Sequence, residues 1–210
     1  MSTPDLYASI GAGTAAPLCV AMPDADVRYF ERVALPAADD VLLAALVAET
    51  PWRSEEIVVW GKRHLQPRLS AWYGDPGAAY TYSGIDLHPL PWTPLLAQLR
   101  DAVAEATGAT YNSVLLNLYR NERDSMGMHS DDEPTLGPRP VIASLSLGAT
   151  RTFVLKHRSD RTLRPVRIAL PSGSLLLMQG DTQRCWKHGI DKQTRPLGPR
   201  LNLTFRRIVG

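Results

Sequence analysis

The chain has 210 residues and a mass of 23.1 kDa, with 44% of its residues hydrophobic and 21% charged, which suits one globular domain with a sizeable core. No apolar run approaches the roughly 20 residues that a membrane-spanning helix needs, and the opening MSTPDLYASIGAGTAAPLCVAMP lacks the basic start and apolar block of a secretory leader, so an intracellular protein is expected. Two cysteines, Cys19 and Cys185, exclude a disulfide framework and a four-thiolate zinc site.

The net charge of +2 hides an uneven distribution. Residues 1–50 hold 7 acids and 2 bases, whereas residues 139–210 hold 14 bases and 3 acids. Arginine outnumbers lysine 19 to 4, and its planar fork suits bidentate contact with phosphate or carboxylate. Such a surplus points to an anionic partner; a solvated basic face is the competing reading.

In chain order, residues 1–23 show no sustained periodicity and read as a flexible arm ahead of a single domain over 24–210. Asp39 and Asp40 precede VLLAALVAET, which Pro51 stops, predicting a short helix with acids at its positive end. A second helix is predicted over 93–107, started by Thr93 and Pro94, with Leu95, Leu96, Leu99, Val103 and Ala106 at helical spacing. After Gly108 the texture changes to short aliphatic and β-branched runs separated by turn residues. These are SVLLNLY (113–119), VIASLSL (141–147), RTFVL (151–155), VRIAL (166–170), SLLLM (174–178) and LNLTFRRI (201–208). The order predicts an α+β, mainly β chain: a sandwich or barrel in the C-terminal half, braced by helices.

Within MGMHSDDEP, His129 and Asp131 stand two apart, so on extended backbone both side chains leave one face and can converge on one metal ion. A third ligand must come from His64, His88, His157 or His188; His188 follows the SLLLM strand and a short turn, a plausible return to the same barrel mouth. Two imidazoles and one carboxylate would form the facial triad of non-heme Fe(II) oxygenases. In PRLNLTFRR, Arg200, Asn202, Thr204 and Arg206 alternate with Leu201, Leu203 and Phe205, giving one polar, doubly cationic face. A bound dicarboxylate would satisfy that face if it points inward, whereas a half-exposed strand would leave the arginines in water.

These residues carry a resemblance. HSD at 129–131, His188, NLY at 117–119 and RLNLTFR at 200–206 resemble the AlkB family of Fe(II) and 2-oxoglutarate dependent nucleic acid dioxygenases over roughly residues 50–210. The similarity is greatest to the duplex-DNA-repairing branch, through VVWGKRHLQPR, YGDPGAAYTYSG and GATRTFVLKH. The resemblance implies a double-stranded β-helix (jelly-roll) core over 111–210 and a nucleotide-recognition region over about 50–110. It implies that His129, Asp131 and His188 hold Fe(II), and that Asn117, Tyr119, Arg200, Asn202, Thr204 and Arg206 line the 2-oxoglutarate site. It also implies oxidative demethylation of alkylated bases, chiefly N1-methyladenine and N3-methylcytosine: O2 and 2-oxoglutarate yield succinate, CO2 and a ferryl oxidant, and the hydroxylated methyl leaves as formaldehyde.

A base inside a duplex must be flipped out to reach buried iron. Tyr80 and Tyr82, flanking Thr81, would present stacking rings, and Trp60, with Gly61 and Lys62, falls where duplex-acting relatives place a wedge. Asp132 is expected at the base edge, and Arg151, with Lys156, Arg158, Arg161 and Arg164, at the phosphate backbone. The expected partner is alkylated DNA, double- or single-stranded, or RNA, bound by a monomer. The alternatives are a hydroxylase of RNA, protein or a small molecule on the same iron site, and an inert binding module. If Trp60 is a wedge, Trp60→Ala lowers turnover of duplex substrate much more than of single strands; equal losses in a paired assay would contradict that role.

Overall fold

The computed structural model describes residues 16–54, 56–59, 62–78, 80–82 and 85–209. Before the first helix lie β1 (Leu18–Cys19) and β2 (Asp26–Phe30). The helix predicted before Pro51 is α1 (Asp39–Glu49), whose Leu42 and Leu46 are buried; Ala38 at its N-cap offers no side-chain acceptor, so Asp39 and Asp40 in the first turn meet the positive end. Two hairpins and an intervening strand follow: β3 (Glu56–Val59) with β4 (Lys62–Leu65), then β5 (Leu69–Gly74), then β6 (Tyr80–Tyr82) with β7 (Ile85–Leu87). The second helix, α2 (Pro94–Thr107), is capped at both ends: Thr93 accepts from the Leu96 N–H, and Gly108, at φ 69°, donates to Ala104 O.

The six strand runs predicted after Gly108 all form, together with two that the pattern did not announce. They are β8 (Ser113–Tyr119), β9 (Met126–His129), β10 (Ile142–Gly148), β11 (Arg151–His157), β12 (Val166–Leu170), β13 (Leu175–Gln179), β14 (Trp186–Ile190) and β15 (Arg200–Arg206). One helical turn, α3 (Thr182–Cys185), joins β13 to β14. The strands make a seven-stranded sheet, β1-β2-β13-β10-β15-β8-β5, and a four-stranded sheet, β12-β11-β14-β9, with every named pairing antiparallel. This is the two-sheet jelly roll expected from the resemblance.

Alternation along β15 explains how the sheets are held. Leu201, Leu203 and Phe205 are fully buried on the outer side of the large sheet, in one cluster with Leu96, Leu99 and Val103 of α2 and Leu42 and Leu46 of α1. Each such side chain contributes about 1.5–3 kcal/mol by leaving water, which is what fastens the helices to the sheet. Arg200, Asn202 and Thr204, at the alternate positions, are also buried and line the cleft between the two sheets. Tyr119, Ile142, Phe153, Leu155, Leu176, Met178 and Trp186 close a second cluster on that inner side.

Within residues 1–23, expected to be a flexible arm, Leu18–Cys19 is a strand of the large sheet. Leu18 and Cys19 pair with Tyr29 and Arg28, and Val20 N–H donates to Val27 O, while β2 itself lies along β13 in the large sheet. A two-residue strand is too short to show a period, and DVRYF alternates too briefly to stand out.

Gly148 ends β10 with φ +88°, and a Cβ there would collide with the Pro199 carbonyl oxygen and lie 2.9 Å from Leu43 Cδ2. Gly148→Ala is therefore expected to cost more than about 1 kcal/mol, read as a lower urea midpoint at unchanged slope. An unchanged midpoint would contradict this account of the turn.

Candidate active site

Strand register brings two of the predicted ligands together. β9 pairs with β14 so that His129 lies directly opposite His188, with ring centroids 4.3 Å apart. Asp131 sits just beyond the end of β9 rather than on it, so the turn after His129, and not strand alternation, aims its carboxylate back. Its Oδ1 lies 3.7 Å from His129 Nε2 and its Oδ2 3.9 Å from His188 Nε2. One ligand atom from each of the three residues falls within 4.8 Å of the others, close enough to share one ion. His129 Nδ1 is 2.9 Å from Gly127 O, a contact that places the ring proton there and leaves Nε2 free to ligate.

The electrostatics suit a metal. Burial pushes the His188 pKa down from 6.5 to about 4, against the pull of Asp131 and with help from His129 and Arg206, so the ring is neutral at neutral pH, as a ligand must be. Its face stacks on Phe153 at 5.1 Å. Burial works to raise the Asp131 pKa, but the positive charges around it, Arg206 first, outweigh burial and hold it below the ordinary carboxylate value. Arg206 Nη2 donates to Asp131 Oδ1 at 2.7 Å. Two imidazole nitrogens and one ionised carboxylate, open on one side, form a donor set that fits Fe(II).

Beside this triad the polar row of β15 faces a cleft bounded by both sheets. Arg200, 1% exposed, donates through Nη2 to Ser146 Oγ and Asn202 Oδ1, both at 2.9 Å, and its guanidinium carbon lies 5.1 Å from the Tyr119 ring centroid. Asn202 Nδ2 donates to Thr204 Oγ1 at 2.7 Å, and Ser144 Oγ donates to Asn202 Oδ1 at 2.8 Å. Arg200 Nε and Nη1 and Arg206 Nε are buried with no hydrogen-bond partner among the described residues. Burial lowers the Arg200 pKa to about 10, which still leaves a cation at neutral pH. A buried cation with idle N–H groups is costly, and a carboxylate supplies both the charge and the acceptors that it lacks. The row therefore fits a dicarboxylate cosubstrate adjoining the metal.

Arg151 departs from expectation. It is 2% exposed, with Nη2 donating to Asp124 O at 2.8 Å and Asp191 O at 2.7 Å and its guanidinium over Tyr119, so it braces loops from inside and is not a surface contact for phosphate. The reason is alternation: Arg151 shares the inward face of β11 with Phe153 and Leu155. Lys156, Arg158, Arg161 and Arg164 of the same stretch are exposed. Asp132 is exposed and paired with Arg158 Nη1 at 2.6 Å. Lys62 falls on β4, Tyr80, Thr81 and Tyr82 form β6, and Trp60 and Gly61 lie outside the described residues. Asn117 lines the cleft with its Oδ1 engaged by Arg68 Nε at 2.8 Å.

Sequence reasoning missed Ser144, Ser146 and Phe153. The serines alternate with Leu145 and Leu147 in VIASLSL, a signal of the same kind as that in β15, whereas nothing in RTFVL marks Phe153 as a neighbour of a ligand.

Fold and site together define a jelly-roll protein with a two-histidine, one-carboxylate metal centre beside an anion pocket. The model of the 2OG-Fe(II) oxygenase superfamily matches residues 26–206, and the chain belongs to that family. It is 46% identical over 177 residues to human alpha-ketoglutarate-dependent dioxygenase alkB homolog 3, covering 80% of this chain and 61% of that protein. It is 46% identical over 160 residues to mouse DNA oxidative demethylase ALKBH2, covering 73% of this chain and 67% of that protein. The match thus spans only about three fifths to two thirds of the length of these relatives. The solved structure of OsALKBH1 shares the fold with a TM-score of 0.61 at 17% identity, covering 91% of this chain and all of that one.

Because His188 is held neutral in the fold down to about pH 4 while the unfolded chain protonates it near 6.5, the unfolded state binds more protons across that window. Metal-free protein is therefore expected to lose stability as the pH falls from 6.5 toward 4, and His188→Gln to lose less over the same range. Thermal melts in chelator at stepped pH check this; parallel losses in both proteins would contradict it.

Proposed function

We propose that this chain is an Fe(II)- and 2-oxoglutarate-dependent demethylase that repairs alkylated bases in DNA by direct reversal, with N1-methyladenine and N3-methylcytosine as its chief lesions. The observation that carries the reading is the juxtaposition of the His129–Asp131–His188 cluster with the buried, half-satisfied Arg200 guanidinium in one cleft. Kinship with a protein named as a DNA oxidative demethylase supports the choice of substrate.

His129 Nε2, Asp131 and His188 Nε2 would hold iron. Arg200, with Tyr119 and Asn202 beside it, would take one carboxylate of 2-oxoglutarate, and Arg206 would sit between the cosubstrate and Asp131. When bound, iron and 2-oxoglutarate supply the oxidation that turns the N-methyl group into a hydroxymethyl group, with O2 consumed and 2-oxoglutarate decarboxylated to succinate. Phe153 and Met178 line the cleft and would keep water from the reacting centre. The hydroxymethyl product is a hemiaminal, which loses its hydroxyl proton as the C–N bond breaks, releasing formaldehyde and the unmodified base.

Exposed Lys156, Arg158, Arg161 and Arg164 suit phosphate backbone contact, which adds affinity and salt dependence but no sequence choice. Asp132, next in sequence to Asp131, is assigned to the edge of a flipped base; Tyr80 and Tyr82 are assigned to stacking and Trp60, Gly61 and Lys62 to holding the gap. The working form is assigned as an intracellular monomer; no described helix is long and apolar enough to cross a membrane.

Incubation of oligonucleotides carrying either lesion with the protein, Fe(II), 2-oxoglutarate and ascorbate is expected to remove 14 Da per lesion by mass spectrometry, the difference between a methyl group and hydrogen, as about one formaldehyde per base appears. His129→Ala is expected to lower the rate at least 100-fold. Turnover by His129→Ala equal to wild type would overturn the iron assignment. Turnover only of methylated RNA, a peptide or a small molecule would overturn the substrate.

A further inference from the structure

The segment that carries the metal-ligating carboxylate leaves the sheet as soon as β9 ends at His129, yet Asp131 must be held with a precision that loops rarely give. Ladder hydrogen bonds do not do this, because the β9–β14 pairing stops at His129. Instead, side chains tie three consecutive residues to the α3–β14 corner. Ser130 Oγ donates to Trp186 O at 2.9 Å, and the Asp131 N–H donates to Gln183 Oε1 at 3.0 Å. Arg158 Nη1 spans Asp132 Oδ2 at 2.6 Å and Gln183 O at 3.4 Å.

Of these ties, the one to Gln183 is the most constrained. Gln183 is 2% exposed, and both ends of its amide are engaged, Oε1 by the Asp131 N–H and Nε2 toward Met178 Sδ at 3.6 Å. A buried amide oxygen and a buried backbone N–H satisfy each other here, so neither can rotate away without leaving a polar group unpaired. The corner that bears Gln183 is anchored in turn: Thr182 Oγ1 donates to Gln179 O at 2.6 Å and accepts from the Asp26 N–H at 3.0 Å, and the Trp186 indole donates to Pro23 O at 2.9 Å. A rigid corner thereby dictates where the Asp131 backbone, and so its carboxylate, stands before any metal arrives.

We infer that Gln183 is a positioning residue for the metal centre: its side-chain carbonyl preforms the Asp131 loop, and so sets metal affinity without touching the metal. This rests on the assignment of His129, Asp131 and His188 as ligands.

The test uses the full chain freed of metal and cobalt(II) chloride alone as the probe, followed by visible ligand-field absorption. Gln183→Met keeps the length of the side chain and removes the acceptor; Gln183→Asn keeps the amide and withdraws it by one methylene. Thr93→Ala is the structural control, since it removes the side-chain cap of α2 and leaves the corner that bears Gln183 intact. Both Gln183 variants are expected to bind cobalt about 10-fold or more weakly than wild type with an altered absorption band, while Thr93→Ala lowers the melting temperature and keeps wild-type affinity and band. Wild-type affinity in a folded Gln183 variant, or an equal loss in Thr93→Ala, would overturn the positioning role. Amide hydrogen exchange on the metal-free wild type reads the bond directly, independent of whether the variants fold: protection at Asp131 supports the inference, and exchange at the open-loop rate overturns it. Absence of cobalt binding by the wild type would instead overturn the ligand assignment on which the inference rests.

Discussion

Arg200 carries a guanidinium into the space between two sheets, where nothing among the described residues supplies a countercharge and two of its three nitrogens stand idle. Burying a cation costs several kcal/mol unless it is met, so a fold that retains one must either pay elsewhere or expect an anion. Much of the architecture can be understood from this constraint. β15 needs apolar partners on its other face to hold the charged face inward, and α1 and α2 provide them through Leu42, Leu46, Leu96, Leu99 and Val103. Ser146 of β10 and Asn202 accept from Arg200 Nη2, and Tyr119 of β8 lies beside its guanidinium, which leaves Nε and Nη1 for an anion.

The second sheet answers a complementary problem. Asp131 is a buried anion and His188 a buried, neutral base, so the carboxylate needs a cation near it. Arg206, at the far end of the strand that holds Arg200, supplies one such charge directly to Asp131. One strand thus carries two cations six residues apart on one face, one paired with Asp131 and the other with idle donors turned into the cleft. The His129–Asp131–His188 cluster and the buried Arg200 line one cleft because β15 is continuous.

Much of this was legible in the sequence, because the signals were local. Pro51 and Asp39 bounded α1, Thr93 and Gly108 bounded α2, and alternation in RLNLTFR marked the polar row correctly. What periodicity could not supply was the choice among four histidines for the third ligand, since that depends on β9 and β14 being paired in register, a fact that no single segment contains. Family resemblance supplied His188, and the pairing sets it opposite His129. Arg151 was misread because a basic residue at the start of a strand looks the same whether its side faces solvent or core; only the burial of Phe153 and Leu155 on its face decides. Gln183 and Phe153 escaped notice for a related reason: each acts on a residue distant in sequence.

The central claim is that one ion and one dicarboxylate share the cleft between the sheets, ligated by His129, Asp131 and His188 and gripped by Arg200. Anaerobic titration of the metal-free chain with Fe(II) and then 2-oxoglutarate tests it directly, through the visible charge-transfer absorption that arises only when the 2-oxo acid chelates iron. The account predicts a band that saturates at one iron and one 2-oxoglutarate per chain and that requires a much higher 2-oxoglutarate concentration in Arg200→Met. No band in the wild type, or an Arg200→Met titration that overlays it, would contradict the account.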